Sequence, residues 1–497
     1  MKLKLTLLTL LLITISKNVF SQTKNLSIAE QAEDFKIFTG SLNEGHSGIY
    51  YFINKATFEK KCDSVQKTFK ENSSVENYYL KLRFLITSLN HGHTRISLPT
   101  KKPVNYKMEV LDSTKQYLPF QFIIINKQLF IKTDCSKEQL FPEYSVVKSI
   151  DGVRTKTLIN KMLKYIPADG INQTFKYYNL YNYYYFHFLY NLFYPEKKDF
   201  EIELANNKTH YYIKGLLPRE IESNFKSKSK QNISEYGKQL EYNSNINSNT
   251  AYLKINSFYK GLIENNGQKY EEFLNNSFAD IKTKSIKNLI IDIRNNEGGG
   301  DSYDNILASY LIDRKPTSND GIIKVPGKEF KYTSYTYDLS DDVNGFLQNP
   351  SEFLKDDSSL QIKKQYVEMM TSVIAPINNQ FLGDIYVLTN GGSFSASTNF
   401  ITQLYRYRIN SNRKIFFVGE ENGGDIYSNT ECAGQGYKIR LPKSLITVDM
   451  PFLCFGELEK KYPKKRLPDY EIFDNPKDLS NNKDTILEYT LQLIQKK

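Results

Sequence analysis

Apolar residues follow a helical period in the first part of the chain, after a leader-like segment. A capping box at Ser27 and Glu30 predicts the start of one helix. Two further stripes have helical spacing: Phe58, Cys62, Val65 and Phe69, then Val75, Tyr79, Leu82, Ile86 and Leu89. The second stripe stops at "LNHGHTRISL", where Asn90 and Gly92 end a helix and an extended segment follows. Residues 22–110 are therefore predicted to form a helical N-terminal domain.

The period changes to that of short strands over residues 111–217. "FQFIIINKQLFIKT" predicts a hairpin that turns at Asn126 and Lys127, and "SVVKSIDGVRTKTLINKML" predicts a strand, a turn at Asp151 and Gly152, and a helix. The segment 175–194 is dense in Tyr and Phe, and we expect it to fill a core rather than to form a sticky surface. This part is predicted to be a small α+β domain.

The remaining sequence divides into a polar stretch and an alternating pattern. Residues 218–249 are rich in Lys, Ser, Asn and Gln, which predicts a linker. Over residues 250–497, the strand-like runs "AYLKINSF", "NLIIDI", "DIYVLT", "KIFFVG" and "LITVDM" alternate with helical segments near 270–281, 303–311 and 396–407. Such alternation predicts an α/β core domain.

Composition and the first residues of the chain predict a globular protein that is exported. The 497 residues are 40% apolar and 14% aromatic, which is typical of a globular protein. Residues 1–21 resemble a signal peptide, with Lys2 and Lys4 before the apolar run 5–15 and a cleavage site near Ser21. A membrane anchor is the alternative interpretation of this segment. We expect an exported protein, periplasmic or extracellular, that is soluble from Gln22 onward.

Charge and cysteine usage exclude several classes of partner. The net charge is +11, but basic and acidic residues are interspersed, so we expect no nucleic-acid partner. The four cysteines Cys62, Cys135, Cys432 and Cys454 allow three disulfide pairings in an exported protein. None of them has a second Cys or a His at ligand spacing, so neither a metal site nor a cofactor is expected.

Two glycine turns carry the candidate chemistry. One strand runs into Gly298, Gly299 and Gly300, and another runs into "NGGSFSAS" at the start of a helix. Ligands of open α/β sheets bind at such strand ends. Because the P-loop lysine and the G-x-G-x-x-G spacing are missing, nucleotide binding is disfavoured. Bare N–H groups can also hold the oxyanion that forms when a turn serine attacks a carbonyl. The G-x-S-x-G elbow of α/β-hydrolases is absent, since Ser397 replaces its second glycine.

A nucleophilic serine needs a base, and the chain has five histidines. His187 lies in the aromatic segment and His210 in a predicted strand, so core or surface roles are expected for both. His91 and His93 flank Gly92 at a helix end, where loops often carry function. A helix-capping role for this pair stays open.

Three motifs in order resemble a known family. "NLIIDIRNNEGGGD", "YVLTNGGSFSAST" and "FVGEENGG" are similar to the tail-specific or C-terminal-processing serine peptidases, family 41 of the serine peptidases, which includes the tricorn-core proteases. The resemblance implies a ClpP/crotonase-like α/β core, an N-terminal helical region and a PDZ-like domain around "YSVVKSIDGV". It also implies Ser395 as nucleophile and an oxyanion hole made by Ala396 with Gly298 or Gly299.

The resemblance further distinguishes two ways of activating the serine. The lysine of the processing branch is missing from "GEENGGD", whereas His93 matches the base of the tricorn-like branch. Three residues are possible orienting acids: Glu420, Glu457 and Glu459. Thr398 stands where the family usually has Glu. The implied function is an endopeptidase acting on extended or C-terminal peptide segments of peptides or unfolded proteins. The alternative is a weak or inactive peptide-binding pseudoprotease.

Overall fold

A computed structural model describes most of the chain, and the signal-like residues 1–21 lie outside the part it describes. The described residues are 25–99, 111–182, 184–207, 209–228, 237–247, 249–300, 302–313, 323–339, 341–355, 360–365, 380–426, 431–433, 436–455 and 467–496.

The N-terminal region is helical, as its periodicity predicts. Its elements are β1 (Asn25–Leu26), α1 (Ile28–Gly45), α2 (Lys55–Gln66), β2 (Ser73–Ser74), α3 (Val75–Ser88) and β3 (Arg95–Ser97). The capping box of Ser27 and Glu30 is confirmed at the start of α1. The two apolar stripes lie mainly on α2 and α3 and are largely buried. Asn90, with φ +58°, lies just beyond the end of α3, as predicted.

The middle region is an antiparallel sheet with helices packed on it. Its elements are β4 (Phe120–Ile125), β5 (Gln128–Asp134), β6 (Ser145–Ile150), β7 (Val153–Arg154), α4 (Thr155–Met162), a 3₁₀ turn (Leu163–Tyr165), α5 (Thr174–Asn182), α6 (Tyr185–Phe193), β8 (Asp199–Leu204) and β9 (His210–Lys214). The strand order is β4-β5-β6-β8-β9, with β7 paired to β6. The hairpin at Asn126 and Lys127 is confirmed, since both have positive φ. The aromatic segment forms α5 and α6, whose rings contribute to buried clusters.

The prediction of a linker over 218–249 is wrong for its described parts. They contain the helix α7 (Pro218–Lys228) and the strand β10 (Leu240–Asn247). Ile221 is buried in a small apolar cluster, and β10 pairs antiparallel with the next strand, Thr250–Ile255. A sheet-edge strand and a surface helix need apolar residues on one face only, so a mostly polar sequence can form both.

The C-terminal half is built on a mostly parallel sheet, which confirms the alternating pattern. Its elements are β11 (Thr250–Ile255), α8 (Lys260–Glu264), α9 (Tyr270–Thr283), β12 (Asn288–Asp292), α10 (Tyr303–Ser309), β13 (Ile323–Lys324), a 3₁₀ turn (Thr333–Tyr335), β14 (Thr336–Leu339), α11 (Asp341–Gln348), α12 (Pro350–Phe353), β15 (Asp384–Thr389), α13 (Ala396–Ile409), β16 (Ile415–Gly419), β17 (Glu431–Ala433), β18 (Tyr437–Arg440), β19 (Thr447–Met450), β20 (Leu453–Phe455), β21 (Tyr470–Glu471), α14 (Pro476–Ser480) and α15 (Thr485–Gln495). The sheet order is β10-β11-β12-β15-β16-β21. The five strands β11, β12, β15, β16 and β21 are parallel to one another.

One predicted core strand belongs to a different sheet. "LITVDM" forms β19 in the sheet β14-β18-β19-β3, not in the parallel sheet. In this second sheet Val448 pairs with Ile96 of the N-terminal region. The chain segment just after His93 is thereby attached to the C-terminal half.

The four cysteines form one disulfide and leave two thiols free. Cys432 and Cys454 form a disulfide between β17 and β20, while Cys62 and Cys135 are free and buried. Within the described ranges, no helix is both long and apolar enough to cross a membrane.

Candidate active site

Three serines follow β15, and the structure gives them different surroundings. Ser393 and Ser397 are fully buried, and their hydroxyls donate to the carbonyls of Ile293 (2.8 Å) and Asn296 (2.7 Å). Ser395 is only half-buried and occupies the N-cap position of α13. Its backbone has φ +54° and ψ −120°, a conformation that costs a non-glycine residue about 1–3 kcal/mol. Of the three, Ser395 is the one placed to react.

His93 is the base candidate beside this serine. Its Nε2 lies 3.2 Å from Ser395 Oγ, although 302 residues separate the two in sequence. The loop that carries His93 precedes β3, which is paired to β19. The loop is further fixed by Gly92 N, which donates to Asp169 Oδ1 at 2.7 Å. The predicted serine and histidine are therefore brought together within hydrogen-bond distance.

The environment of His93 favours its neutral form. The imidazole stacks on the ring of Phe394, with centroids 4.6 Å apart and planes at 25°. Part of the residue is accessible, but protein atoms surround the ring, and this desolvation lowers its pKa from 6.5 to about 3. The guanidinium of Arg95 and the neighbouring imidazole of His91 also lower the pKa of His93. A neutral imidazole is the form that accepts a proton from a serine hydroxyl.

The two glycine turns meet next to Ser395. Gly298 has φ +94°, and a Cβ on it would lie 2.7 Å from Ala396 N and 2.9 Å from Ser395 Cβ, so only glycine fits there. Gly298 N donates to Asn296 Oδ1 at 2.9 Å. Ala396 opens α13, where N–H groups have no acceptor within the helix. Because the N–H of Gly298 already has an acceptor, Gly299 is the better candidate to act with Ala396.

Asn296 is a site residue that the sequence pattern did not single out. It is fully buried, and its Nδ2 donates to Ile255 O at 3.0 Å while its Oδ1 accepts from Gly298. Its carbonyl accepts from Phe394 N at 3.1 Å and from Ser397 Oγ. One side chain and one peptide group thus join strand β11, the glycine turn and the nucleophile turn. The only sequence signal was the Asn-rich turn "RNNEGGG" after β12.

The other four histidines have structural contacts. His91 Nε2 donates to the Gly48 carbonyl at 2.7 Å, so His91 fixes the loop rather than acting on Ser395. His46 accepts from Gly48 N and contacts Thr94 Oγ1 at 2.8 Å. His187 is buried with its Nε2 3.0 Å from Phe120 O, and His210 is exposed and hydrogen-bonded to Glu201.

Of the three acids considered for the third role, one can be located. Burial and the charges of Asp474 and Glu471 raise the pKa of Glu420 to about 7. The backbone of Glu420 is held to β15, since its carbonyl accepts from Thr389 Oγ1 at 2.7 Å. A role of Glu420 in orienting His93 stays a prediction. Glu457 and Glu459 lie outside the described residues.

Asp169 is the acid that contacts the His93 loop, through Gly92 N. Asp169 is not among the residues predicted from the sequence; the signal that indicates it is the Asp-Gly turn in "PADG". Thr398, at the position where Glu is usual, is buried, and its hydroxyl lies 3.3 Å from Asn422 Nδ2.

The described residues contain no group of three His, Cys, Asp or Glu side chains that could hold a metal ion. The chemistry available at this site is that of a serine hydroxyl, an imidazole and oriented backbone N–H groups. Such a set can perform acyl transfer.

Comparison with known proteins agrees with this description. Residues 249–431 match the family model "Peptidase family S41", which confirms the family resemblance. Among solved structures, mature CPAF complexed with lactacystin is similar with a TM-score of 0.59 and 13% identity, over 94% of this chain and 98% of that one. A second structure of mature CPAF has a TM-score of 0.55 and 14% identity, over 91% and 94% of the two chains. At these identities the likeness concerns the fold alone. No curated protein matches the sequence.

Proposed function

We propose that this chain, whose residues 249–431 match the model of peptidase family S41, is an exported serine endopeptidase with Ser395 as nucleophile and His93 as base. The observation that carries the proposal is the 3.2 Å distance between His93 Nε2 and Ser395 Oγ. It is supported by the glycine turn that lies against Ala396 N. Together these groups supply a nucleophile, a proton acceptor and oxyanion donors.

The proposed reaction is acyl transfer in two steps. Ser395 Oγ attacks the scissile carbonyl carbon while its proton passes to His93 Nε2. The N–H groups of Ala396 and Gly299 stabilise the resulting oxyanion, and the N-terminus of α13 adds positive potential there. The C–N bond then breaks as His93 returns the proton to the leaving amine. Water, deprotonated by the same imidazole, releases the peptide acid from Ser395.

We assign extended or C-terminal segments of peptides and unfolded proteins as the substrate class. Support comes from the middle region, where β4 lies at a sheet edge and α5 packs near it, as expected if this region is PDZ-like. A peptide can add to such an edge as a further strand. The parallel strands β11, β12, β15, β16 and β21 suit a ClpP/crotonase-like core, in which the two glycine turns lie at the carboxyl ends of neighbouring strands.

Export is part of the proposal. It rests on the signal-like composition of residues 1–21 and on the Cys432–Cys454 disulfide, which is typical of an oxidising compartment.

The test is mass spectrometry of an unfolded protein substrate incubated with the chain from Gln22, beside Ser395→Ala and His93→Ala. We expect fragments from the parent chain and none above background from either variant, with circular dichroism unchanged. A Ser395→Ala chain that still cleaves would overturn the assignment of the nucleophile. Activity lost in Ser395→Ala but kept in His93→Ala would move the base to another residue.

A peptide-binding pseudoprotease is the second candidate, favoured by Thr398, which stands where the family resemblance leads us to expect Glu. It predicts saturable binding of an unfolded peptide, measured by fluorescence anisotropy, together with no cleavage by the parent chain. Binding that occurs with turnover would reject it.

A further inference from the structure

We propose that Phe394 is a positioning residue, which holds the His93 imidazole in the orientation that faces Ser395. The inference rests on the proposed Ser395 and His93 pair. Phe394 immediately precedes the nucleophile, and one face of its ring stacks on His93. The ring of Phe394 also stacks on Phe175, at a centroid distance of 4.0 Å and an interplanar angle of 19°. The three rings form a stack that we call the His93–Phe394–Phe175 stack.

The backbone on either side of Phe394 fixes where its ring lies. Phe394 N donates to Asn296 O at 3.1 Å, and Phe394 O accepts from Ser397 N at 3.1 Å. The side chain is 4% exposed, so it has little room to adopt another rotamer. The same turn that presents Ser395 therefore presents the ring that supports the base.

Phe175 is held from a separate part of the chain. Its backbone N–H donates to Asn172 Oδ1 at 3.0 Å, and Asn172 Nδ2 donates to Asn422 O at 2.7 Å. Phe175, Phe394, Tyr178 and Ala168 make a buried apolar cluster of their own. The stack is thus supported at its far end by a fixed side chain and not by solvent.

The physical role follows from the shape of a stacked pair. A ring face limits rotation of the imidazole about its Cβ–Cγ bond. Nε2 therefore stays near Ser395 Oγ, and no conformational entropy has to be lost at each turnover to orient it. Orienting the base is one of the tasks that a carboxylate performs in a serine triad. The Ser395 hydroxyl lies at hydrogen-bond distance from Nε2 of the same ring.

The first experiment compares Phe394→Leu with Phe394→Tyr on a peptide identified as a substrate. We expect Phe394→Leu to lower kcat about 10- to 100-fold with little change in KM, because the base is less well oriented and substrate contacts are kept. Phe394→Tyr keeps the ring and should retain most of the activity. Phe278→Leu is the matched control, since Phe278 is equally buried and stacks on Tyr310 at 4.4 Å, away from the site.

Two outcomes overturn the proposal. One is a Phe394→Leu enzyme with kcat within about twofold of the parent, a change too small for lost orientation. The other is a loss of the same size in Phe278→Leu, which would indicate general destabilisation. If Phe394→Leu does not fold, Phe175→Leu removes the support of the stack instead and should lower kcat in the same direction.

A second readout does not depend on turnover. With ¹³C-labelled histidine, the ring protons of His93, assigned by their loss in His93→Gln, should be shifted upfield by Phe394 and return toward ordinary values in Phe394→Leu. Unshifted signals in the parent chain would overturn the stack. If instead the upfield shift is present while Ser395→Ala retains full activity, the proposed function fails and the stack stands.

Discussion

Three serines in five residues have different roles because the backbone changes direction between them. Ser393 and Ser397 use their hydroxyls to fasten the turn to the glycine loop after β12. Ser395, between them, has a positive φ that turns its side chain away from those contacts. The strain at Ser395 is held by the hydrogen bonds of its neighbours. Sequence could rank these serines only through the family resemblance, because all three are chemically alike.

The low pKa of His93 leads to a prediction about how kcat/KM depends on pH. A base with the ordinary pKa of 6.5 would be only about 3% neutral near pH 5, and kcat/KM would fall with it. Because burial lowers the pKa of His93 to about 3, its neutral form persists well below pH 6.5. We expect kcat/KM near pH 5 to stay within about twofold of its value near neutral pH. Stopped assays on a short peptide over this range will measure it.

The control for this prediction is the folded fraction at each pH. Buried neutral histidines have folded-state pKa values below their unfolded value of 6.5, as at His187 (about 4) and His93 (about 3). The unfolded chain therefore binds more protons, and stability falls as pH drops below 6.5 toward these values. Activity must be normalised to folded protein. An acidic limb centred near 6.5 in fully folded enzyme would contradict the assigned environment of His93.

Hydrogen bonds join the carboxyl end of β12 to helix α15. Arg294 makes hydrogen bonds to Asp484, the N-cap of α15, at 2.9 and 2.6 Å. It also pairs with Asp292, whose side chain is 1% exposed. This places one guanidinium between two carboxylates immediately before the glycine turn. The arrangement fixes where the turn begins.

Removal of that guanidinium should be costly. We expect Arg294→Met to lower the free energy of unfolding by about 3–5 kcal/mol, because Asp292 would remain buried without its partner. Arg294→Lys should recover little of this loss, since an ammonium cannot form paired bonds to both acids. Denaturant titration measures both. Lys414→Met is the matched control: Lys414 is 68% exposed and 4.0 Å from Asp384, and little change is expected. A loss at Arg294 no larger than this control would refute the prediction.

Elements with strong periodicity could be predicted from sequence, and weakly apolar ones could not. The strands β12 and β15 are continuous apolar runs because both faces of a central parallel strand are buried. Strand β10 lies at the sheet edge and consists mostly of polar residues. The sequence therefore predicts a linker where the structure has a strand. The sheet to which β19 belongs could not be predicted either. Its partner β3 is hundreds of residues away, and pairing over such a distance leaves no local pattern.

At the scale of the whole molecule, the candidate site requires three distant parts of the chain. His93 comes from the N-terminal region, Phe175 and Asp169 from the middle region, and Ser395 from the C-terminal half. Sequence motifs could indicate Ser395 and His93, because the segments around them resemble motifs of a known family and the chain has only five histidines. The supporting residues Asp169, Asn296 and Phe394 act through contacts in space. Turn signals mark where Asp169 and Asn296 lie in the sequence, but no linear pattern shows what these side chains contact.

The disulfide belongs to this long-range support. Both sulfurs pack against Gly48, where a Cβ would lie 2.4 Å from Cys432 Sγ and 2.6 Å from Cys454 Sγ. The carbonyl of Gly48 accepts the hydrogen bond from His91, two residues before His93. The bridge closes a sequence separation of 22 residues. The bridge therefore restrains the unfolded chain. In the folded chain it fills the space beside Gly48, next to the loop that carries His93.

Loss of the bridge should destabilise the whole fold. We expect the double variant Cys432→Ser/Cys454→Ser to lose about 3 kcal/mol of unfolding free energy, as loop-closure entropy predicts for a loop of this length. Adding dithiothreitol to the parent chain should give a similar loss, and adding it to the double variant should change nothing further. Calorimetry with thiol counting by mass spectrometry distinguishes these cases. A parent chain that is demonstrably reduced yet melts at its original Tm would show that packing around Gly48, and not the covalent link, holds β17 and β20 together.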